Sequence, residues 1–162
     1  MILGVDPGRD KTGWALVLYS GELVLSGICP TGEFEEFGKT WRRSCREWET
    51  ALAPWICERC LSVVRPQDVG FAVDYVALGN GTGSKGFFSV LEHLGLKAVL
   101  IDERGTTLMA REFYWRLHRP SFWQKCLPRT LRIPPRAVDD MAAWAIALRS
   151  IVVSPADRSP EN

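Results

Sequence analysis

The sequence contains no long apolar run. No stretch approaches the roughly 18 apolar residues that a membrane-spanning helix requires, so no membrane partner is expected. The opening MILGVDPG also lacks the basic region and apolar run of a secretory signal peptide, which favours a cytoplasmic protein. The 162 residues are 46% hydrophobic and 24% charged, as in soluble globular chains. We predict one main domain over residues 1–153 and a flexible polar tail over residues 154–162.

An even set of cysteines is also absent. Five cysteines in a chain without a secretory signal do not predict a disulfide framework. Cys57 and Cys60 form a lone Cys-x-x-Cys motif, and Cys45 is its only near candidate for a third ligand. We favour buried thiols on a helix, acting as small hydrophobic side chains, over a zinc or redox site.

The net charge of +1 conceals an uneven distribution along the chain. Between Arg111 and Arg136 there are seven basic residues and one acid, Glu112. Such a segment is typical either of a solvated face or of a surface that contacts a phosphate backbone. Four aromatic residues lie among these cations: Tyr114, Trp115, Phe122 and Trp123. They either pack beneath the segment or stack on unpaired bases.

The hydrophobic pattern predicts an α/β fold with a five-stranded mixed sheet. Three strands near residues 2–6, 13–19 and 22–29 form an antiparallel meander, with a Ser-Gly turn between the second and the third. Two further strands follow, at residues 71–78 and in LKAVLID. Because helices separate these later strands, we expect them to be parallel and the helices to cover both faces of the sheet.

The longest predicted helix covers residues 33–64, where apolar residues recur at steps of four and three. This stripe consists of Trp41, Cys45, Trp48, Leu52 and Trp55. Pro54 is expected to kink or restart the helix. Shorter helices are predicted in SKGFFSVLEHLG, in TTLMAREFYWRLH with Thr106 or Thr107 as N-cap, and in VDDMAAWAIALRSIV. Residues 119–136 are predicted to be irregular.

Three acidic residues occupy corresponding places in this arrangement. Asp6 ends the first strand, Glu103 follows the last strand, and Asp139 opens the C-terminal helix. Ligands of open α/β sheets bind outside the carboxyl ends of strands, so these carboxylates can converge. Converging carboxylates need a cation, and Mg²⁺ accepts carboxylate oxygens, waters and phosphates. Alternatively, Asp139 only complements the helix dipole, and Glu103 is a surface acid.

A glycine-rich run, GNGTGSK at residues 79–85, follows the fourth predicted strand. Its backbone amides and the start of the next helix could receive a phosphate. It could equally be a plain turn with a serine N-cap. The run lacks the GxxxxGK[ST] order of a Walker loop.

Four blocks of the sequence together resemble RuvC/YqgF-type nucleases of the RNase H-like superfamily. ILGVDPGRDKTG resembles the family's first motif, DERGTT its DER motif, and VDDMAAWAIAL its C-terminal helix, which Holliday junction resolvases share. ALGNGTGSK is similar to the fourth-strand glycine motif of the YqgF-like domain in Tex-type RNA-binding proteins. The blocks span residues 2–149 in the family's order.

The resemblance implies an RNase H-like fold and a metal-dependent endonuclease that uses two Mg²⁺ or Mn²⁺ ions. By motif position, Asp6, Glu103 and Asp139 match the catalytic and metal-binding acids. Asp140 is a second candidate ligand, although it points about 100° away from Asp139 around the helix. Where true resolvases carry a catalytic Glu after the fourth strand, this chain has Asn80, so the second acid is placed at Glu103.

The implied partner is nucleic acid, either a branched DNA junction or a structured RNA precursor. Candidate substrate-binding residues are Arg9, Lys11, Asn80, Thr82, Lys85, Arg104 and Arg136. A homodimer would suit a junction, because two strands must be cut symmetrically. The main alternative is an RNase H-like module that binds nucleic acid without cutting it. A relative of the sugar kinase and actin class is disfavoured, because those proteins need two such domains. His93 and His118 are interpreted as structural.

Overall fold

The structure is a computed structural model that describes residues 1–40, 52–60, 73–81, 83–128 and 131–153. Within these ranges the chain is an α/β protein with one mixed, open sheet of six strands in the order β4-β3-β2-β1-β5-β6. The strands are β1 (Ile2–Asp6), β2 (Lys11–Val17), β3 (Leu23–Pro30), β4 (Ile56–Arg59), β5 (Tyr75–Gly79) and β6 (Ala98–Ile101).

The mixed character of the sheet agrees with the prediction. β1, β2, β3 and β4 pair antiparallel in succession, whereas β1 pairs parallel with β5 and β5 parallel with β6. The predicted number of strands was wrong, because the sheet has six and not five. The described residues form no helix that is long and apolar enough to cross a membrane.

The additional strand, β4, lies where a helix was predicted. A short 3-10 helix at Ala53–Trp55 contains Pro54, and the chain leaves it in an extended conformation at Ile56. The segment Ile56–Arg59 then pairs with β3. The apolar stripe did not indicate this strand, because its last residue, Trp55, lies just before the chain becomes extended at Ile56. Its members Trp41, Cys45 and Trp48 lie outside the described residues.

The prediction of buried, helical thiols at the Cys-x-x-Cys motif was also wrong. Cys57 lies on β4 and is exposed, and Cys60 follows that strand and is only partly buried. Both are free cysteines. In a strand, successive side chains point to opposite faces of the sheet. The exposure of these cysteines therefore follows from the edge strand and not from a helical face.

Five helices are described: α1 (Phe34–Thr40), α2 (Ser84–His93), α3 (Thr106–Leu117), α4 (Phe122–Lys125) and α5 (Asp139–Val153). They cover both faces of the sheet. Leu3 and Val5 of β1 point into a core that includes residues of α1 and α2. Ile2 of the same strand points into the opposite core, which α3 and α5 share.

Two local predictions about helix starts were wrong. Gly105, with a φ of 80°, is the N-cap of α3, and neither Thr106 nor Thr107 caps it. The segment 119–136 is not wholly irregular, because it contains α4. A capping box between Ser121 and Gln124 begins that short helix.

The backbone of α5 lies directly on the first two strands. A Cβ at Gly4 would overlap the carbonyl group of Ala143, and a Cβ at Gly13 would overlap the carbonyl group of Asp139. Gly13 is also the partner of Asp6 in the β1–β2 ladder. This close packing therefore places the first turn of α5 beside the end of β1.

We expect Gly4→Ala to lower the free energy of unfolding by at least about 2 kcal/mol, because the new methyl group meets helix backbone that cannot move aside. Urea denaturation followed by circular dichroism measures the change. Gly86→Ala is the matched control. It lies in α2 with no atom within 4 Å of the new Cβ, so it should raise stability by about 0.5–1 kcal/mol. Equal effects of the two changes would contradict the packing described here.

Candidate functional site

The candidate site lies at the sheet edge where β1, β5 and β6 end. These three strands are parallel, with Val5 paired to Leu78 and Gly79 paired to Ile101. Asp6 is the last residue of β1, and Glu103 follows the end of β6 by two residues. The register therefore brings both acids to the same edge.

Glu103 folds its carboxylate over the end of β5. A Cβ at Gly79 would lie 2.6 Å from Glu103 Oε2, and a Cβ at Gly81 would overlap Oε1. The same Cβ at Gly79 would lie 3.1 Å from Cδ of Pro7, the residue after Asp6. In the described residues Glu103 Oε2 is buried and has no hydrogen-bond partner. A buried carboxylate oxygen without a donor is unusual in a folded protein and would be satisfied by a water or an ion.

The glycine-rich run therefore has a role that the sequence did not suggest. Gly79 and Gly81 leave room for the carboxylate of Glu103. Asn80, between them, accepts a hydrogen bond at Oδ1 from the backbone N–H of Glu103 over 3.3 Å. Thr82 lies outside the described residues, so its predicted contact with substrate stays a prediction.

Asp139 reaches the same edge from α5. It is the first residue of that helix, and its carbonyl group faces Gly13, the ladder partner of Asp6. Its side chain is partly buried, as are those of Asp6 and Glu103. The structure thus places all three predicted acids around the end of β1.

The three carboxylates influence one another electrostatically. Burial, together with the nearby charges of Glu103 and Asp139, raises the pKa of Asp6 to about 7. A carboxyl group with such a pKa is only partly ionised at neutral pH. The edge therefore carries negative charge that nothing within the described residues neutralises fully, and a bound cation would relieve it.

The fit of this edge to a metal ion rests on its donor chemistry. Among the residues that the structure describes, no cluster of three or more His, Cys, Asp or Glu side chains is arranged to hold an ion. A Mg²⁺ ion needs less, because it commonly takes one or two carboxylates and completes its shell with waters and substrate phosphates. The carboxyl group of Asp6 and the unpartnered oxygen of Glu103 are two oxygen donors of the type that Mg²⁺ accepts.

Two residues that the sequence did not single out for the site hold the loop of Glu103 in place. The guanidinium of Arg149 donates to the carbonyl of Asp102 over 2.5 Å and to the carbonyl of Arg104 over 2.7 Å. The hydroxyl of Thr106 donates to the carbonyl of Glu103 over 2.8 Å. A lone arginine near the end of a helix carries no sequence signal for such a clamp, so only the tertiary structure reveals it.

Asp140 belongs to a different network from Asp139. Its side chain is fully buried, and it accepts hydrogen bonds from Ser26 Oγ and from Arg136 Nη1, both over 2.8 Å. Arg136 also bonds to Glu58 on β4 over 2.5 Å. The structure therefore engages both the candidate ligand Asp140 and the candidate phosphate contact Arg136 in an ion-pair network in which Asp140 is buried and Arg136 is partly exposed.

The other predicted phosphate contacts are exposed around the acidic edge. Arg9 lies in the turn after β1, and Lys11 begins β2. The side chain of Arg104 is 91% exposed and pairs with Asp102 over 2.9 Å. Lys85 lies in the first turn of α2. Among the described residues, at most a surface ion pair holds any of these four cations, so their side chains are available to a phosphate backbone.

No family model matches the chain, and no curated protein matches it. The described residues define the class only coarsely, as an α/β protein with a mixed open sheet and an acidic edge at the carboxyl ends of its parallel strands. The resemblance to RuvC/YqgF-type nucleases and the RNase H-like assignment stay predictions.

Asp6→Asn is expected to raise the melting temperature at about pH 8, without divalent ions, by roughly 2–6 °C. The folded-state pKa of Asp6 lies above its ordinary value of 3.8, so the ionised carboxylate destabilises the fold as pH rises through about 7. Below about pH 4 the group is protonated in both states, and the advantage of the variant should disappear. Thermal scans across this range measure the difference.

Asp10→Asn is the control for that experiment. Asp10 is an exposed acid in the same turn, so its replacement should change the melting temperature by no more than about 2 °C at any pH. A melting temperature of Asp6→Asn at or below that of the unaltered protein at about pH 8 would contradict the crowding of carboxylates at the edge.

Arg149→Lys is expected to lower the free energy of unfolding by about 1–3 kcal/mol, because one ammonium group cannot bond both carbonyls that the guanidinium holds. Hydrogen exchange should become faster at the amides around Glu103 and at the start of α3. Arg104→Lys is the matched control, since that exposed side chain should contribute less than about 0.5 kcal/mol. If Arg149→Lys left the rate of amide hydrogen exchange around Glu103 unchanged, Arg149 would not position that loop.

Proposed function

We propose that this protein is a divalent-metal-dependent endonuclease that cleaves phosphodiester bonds in structured nucleic acid. The observation that carries the proposal is the meeting of Asp6, Glu103 and Asp139 at one edge, where burial and then the charges of the other two raise the pKa of Asp6. Carboxylates at this edge repel one another without a cation, and a bound cation would relieve that repulsion. A metal-dependent hydrolase requires such a site.

The carboxylates of Asp6 and Glu103 would hold the ion, with Asp139 as the third acid beside them. A divalent ion bound there would supply the charge that activates water and stabilises the leaving oxygen of a phosphodiester. Asn80 and Arg149 keep the loop of Glu103 in position for that task. They are positioning residues, because their bonds go to the backbone of the loop.

Exposed cations around the edge would bind the substrate backbone. Arg9 and Lys11 follow Asp6 within five residues, Arg104 follows Glu103, and Lys85 ends the glycine-rich run. Contacts of such cations with phosphates position a strand without reading its sequence. This arrangement favours recognition of shape, such as a branched DNA junction or a folded RNA precursor. The RuvC/YqgF-like assignment within the RNase H-like superfamily belongs to the same proposal and rests on the four sequence blocks.

A second candidate function is nucleic-acid binding without cleavage. The observation in its favour is that the described residues contain no ready-made cluster of three metal-ligating side chains. Against it stands the unneutralised charge of the edge, because carboxylates that attract no cation repel the phosphates that a pure binder would hold.

The test is a cleavage panel with four-way DNA junctions, flaps and structured RNAs in the presence of Mg²⁺ or Mn²⁺. We expect ion-dependent cleavage of at least one substrate, and a rate about a hundredfold lower in Asp6→Asn and Glu103→Gln. Asp10→Asn is the control and should cleave at the unaltered rate. Gel electrophoresis of end-labelled substrates gives the rates and the cut positions.

Two results of the panel would contradict the proposal. If Asp6→Asn and Glu103→Gln left the cleavage rate unchanged, these two acids would not form the catalytic site. Tight binding of junctions or RNAs with no cleavage under either ion would favour the binding module instead.

A further inference from the structure

A surface on the connection between α3 and α5 presents apolar rings to solvent, which is unusual for an isolated short helix. Phe122 and Trp123 of α4 are 75% and 80% exposed. Their rings lie 5.8 Å apart at an angle of 81°. We call this region, with the neighbouring cations Arg116, Arg119 and Lys125, the aromatic–basic surface. Large exposed rings in a soluble protein commonly mark a binding surface.

The two rings are presented by a braced segment. The side chain of Gln124 accepts a hydrogen bond from the backbone N–H of Ser121 over 2.8 Å, which completes the capping box of α4. The guanidinium of Arg132 donates to the carbonyls of Lys125 and Leu127 over 3.1 and 3.0 Å. A binding platform built this way loses little conformational freedom when it meets a partner.

A cleft adjoins the braced segment on the outer side of α3. Its volume is about 410 Å³, within the range of small-ligand pockets, and Arg111, Trp115, Arg116, Pro120 and Arg132 line it. The indole N–H of Trp115 donates to the carbonyl of Arg132 over 3.1 Å, which joins the cleft to the segment. Leu108 and Glu112 complete the lining, so the cleft combines apolar side chains with three guanidinium groups and one carboxylate.

The charge of this region decides which partner suits it. Glu112 is the only acid between Arg111 and Arg136. Basic residues therefore outnumber acids along this segment, which favours a polyanion as the partner. A second copy of the chain is disfavoured as the partner, because self-association would bring like charges together.

We infer that the aromatic–basic surface binds an unpaired, single-stranded segment of nucleic acid. Bases would stack on the exposed rings of Phe122 and Trp123, and phosphates would contact Arg116, Arg119 and Lys125. Stacking on exposed rings within a cationic groove is how proteins hold single strands without reading their sequence. This binding is separate from the acidic edge and needs no divalent ion.

The test measures binding of a fluorescein-labelled oligo-dT of about 20 nucleotides, and of its RNA counterpart, to the full chain in the presence of EDTA. Fluorescence anisotropy should show tighter binding to the single strand than to the matching duplex. Trp123→Ala should weaken binding about tenfold, whereas Trp123→Phe should stay within about threefold because it keeps a stacking ring. Phe88→Ala, an exposed ring on α2, is the matched control and should bind like the unaltered protein.

The ionic part of the inference has its own pair of variants. Lys125→Glu should weaken binding and reduce the dependence of log affinity on log salt by about 0.7 or more, the change expected for one lost phosphate contact. Lys97→Glu, an exposed cation before β6, is its control and should change neither quantity.

Two outcomes would overturn the inference. The first is equal affinity for Trp123→Ala, Phe88→Ala and the unaltered protein. The second is a self-associated protein that Trp123→Ala converts to monomers in sedimentation experiments, because the surface would then face another copy. Since EDTA prevents metal-dependent cleavage, a negative result in the nuclease panel leaves this test unaffected, and the reverse also holds.

Discussion

The close contact between α5 and the first two strands is the constraint on which the rest of the molecule depends. Glycine at positions 4 and 13 lets the backbone of the helix lie on the backbone of β1 and β2. Buried alanines of α5 continue this contact, since larger side chains would lift the helix from the sheet. Because Gly13 pairs with Asp6, the same contact that builds the core also places Asp139 at the end of β1.

Asp139 and Asp140 are neighbours in α5, but their carboxylates lie in different electrostatic environments. Asp140 is fully buried, but Ser26 and Arg136 satisfy its carboxylate. Removal of Arg136 would leave a buried carboxylate without a charge partner, whereas removal of Ser26 would leave it one hydrogen bond short. Arg136 also bonds to Glu58, so the network joins the start of α5 to the edge strand β4. One residue earlier, the charge of Asp139 adds to the effect of burial and of Glu103 in raising the pKa of Asp6.

Much of the central sheet could be predicted from the sequence, because local patterns determine it. The strand at residues 2–6 has the predicted bounds and ends at Asp6, where its apolar run stops, and the last helix begins at Asp139 as predicted. β4 was missed, since a four-residue edge strand after a proline has too few residues to show a period. The clamp by Arg149 and the space that Gly79 and Gly81 leave for Glu103 depend on residues far apart in sequence, so no local pattern contains them.

The helix α3 links the acidic edge to the aromatic–basic surface. Its first residue, Thr106, bonds to the carbonyl of Glu103, and its last turn leads through residues 118–121 to α4. Twelve residues of helix extend about 18 Å, so the two regions lie at opposite ends of one rigid element. A nucleic acid that reached both would have to combine a cleavable backbone at one end with unpaired bases at the other. Flaps and folded RNAs would offer this combination, whereas fully paired junctions and uniform duplexes would not.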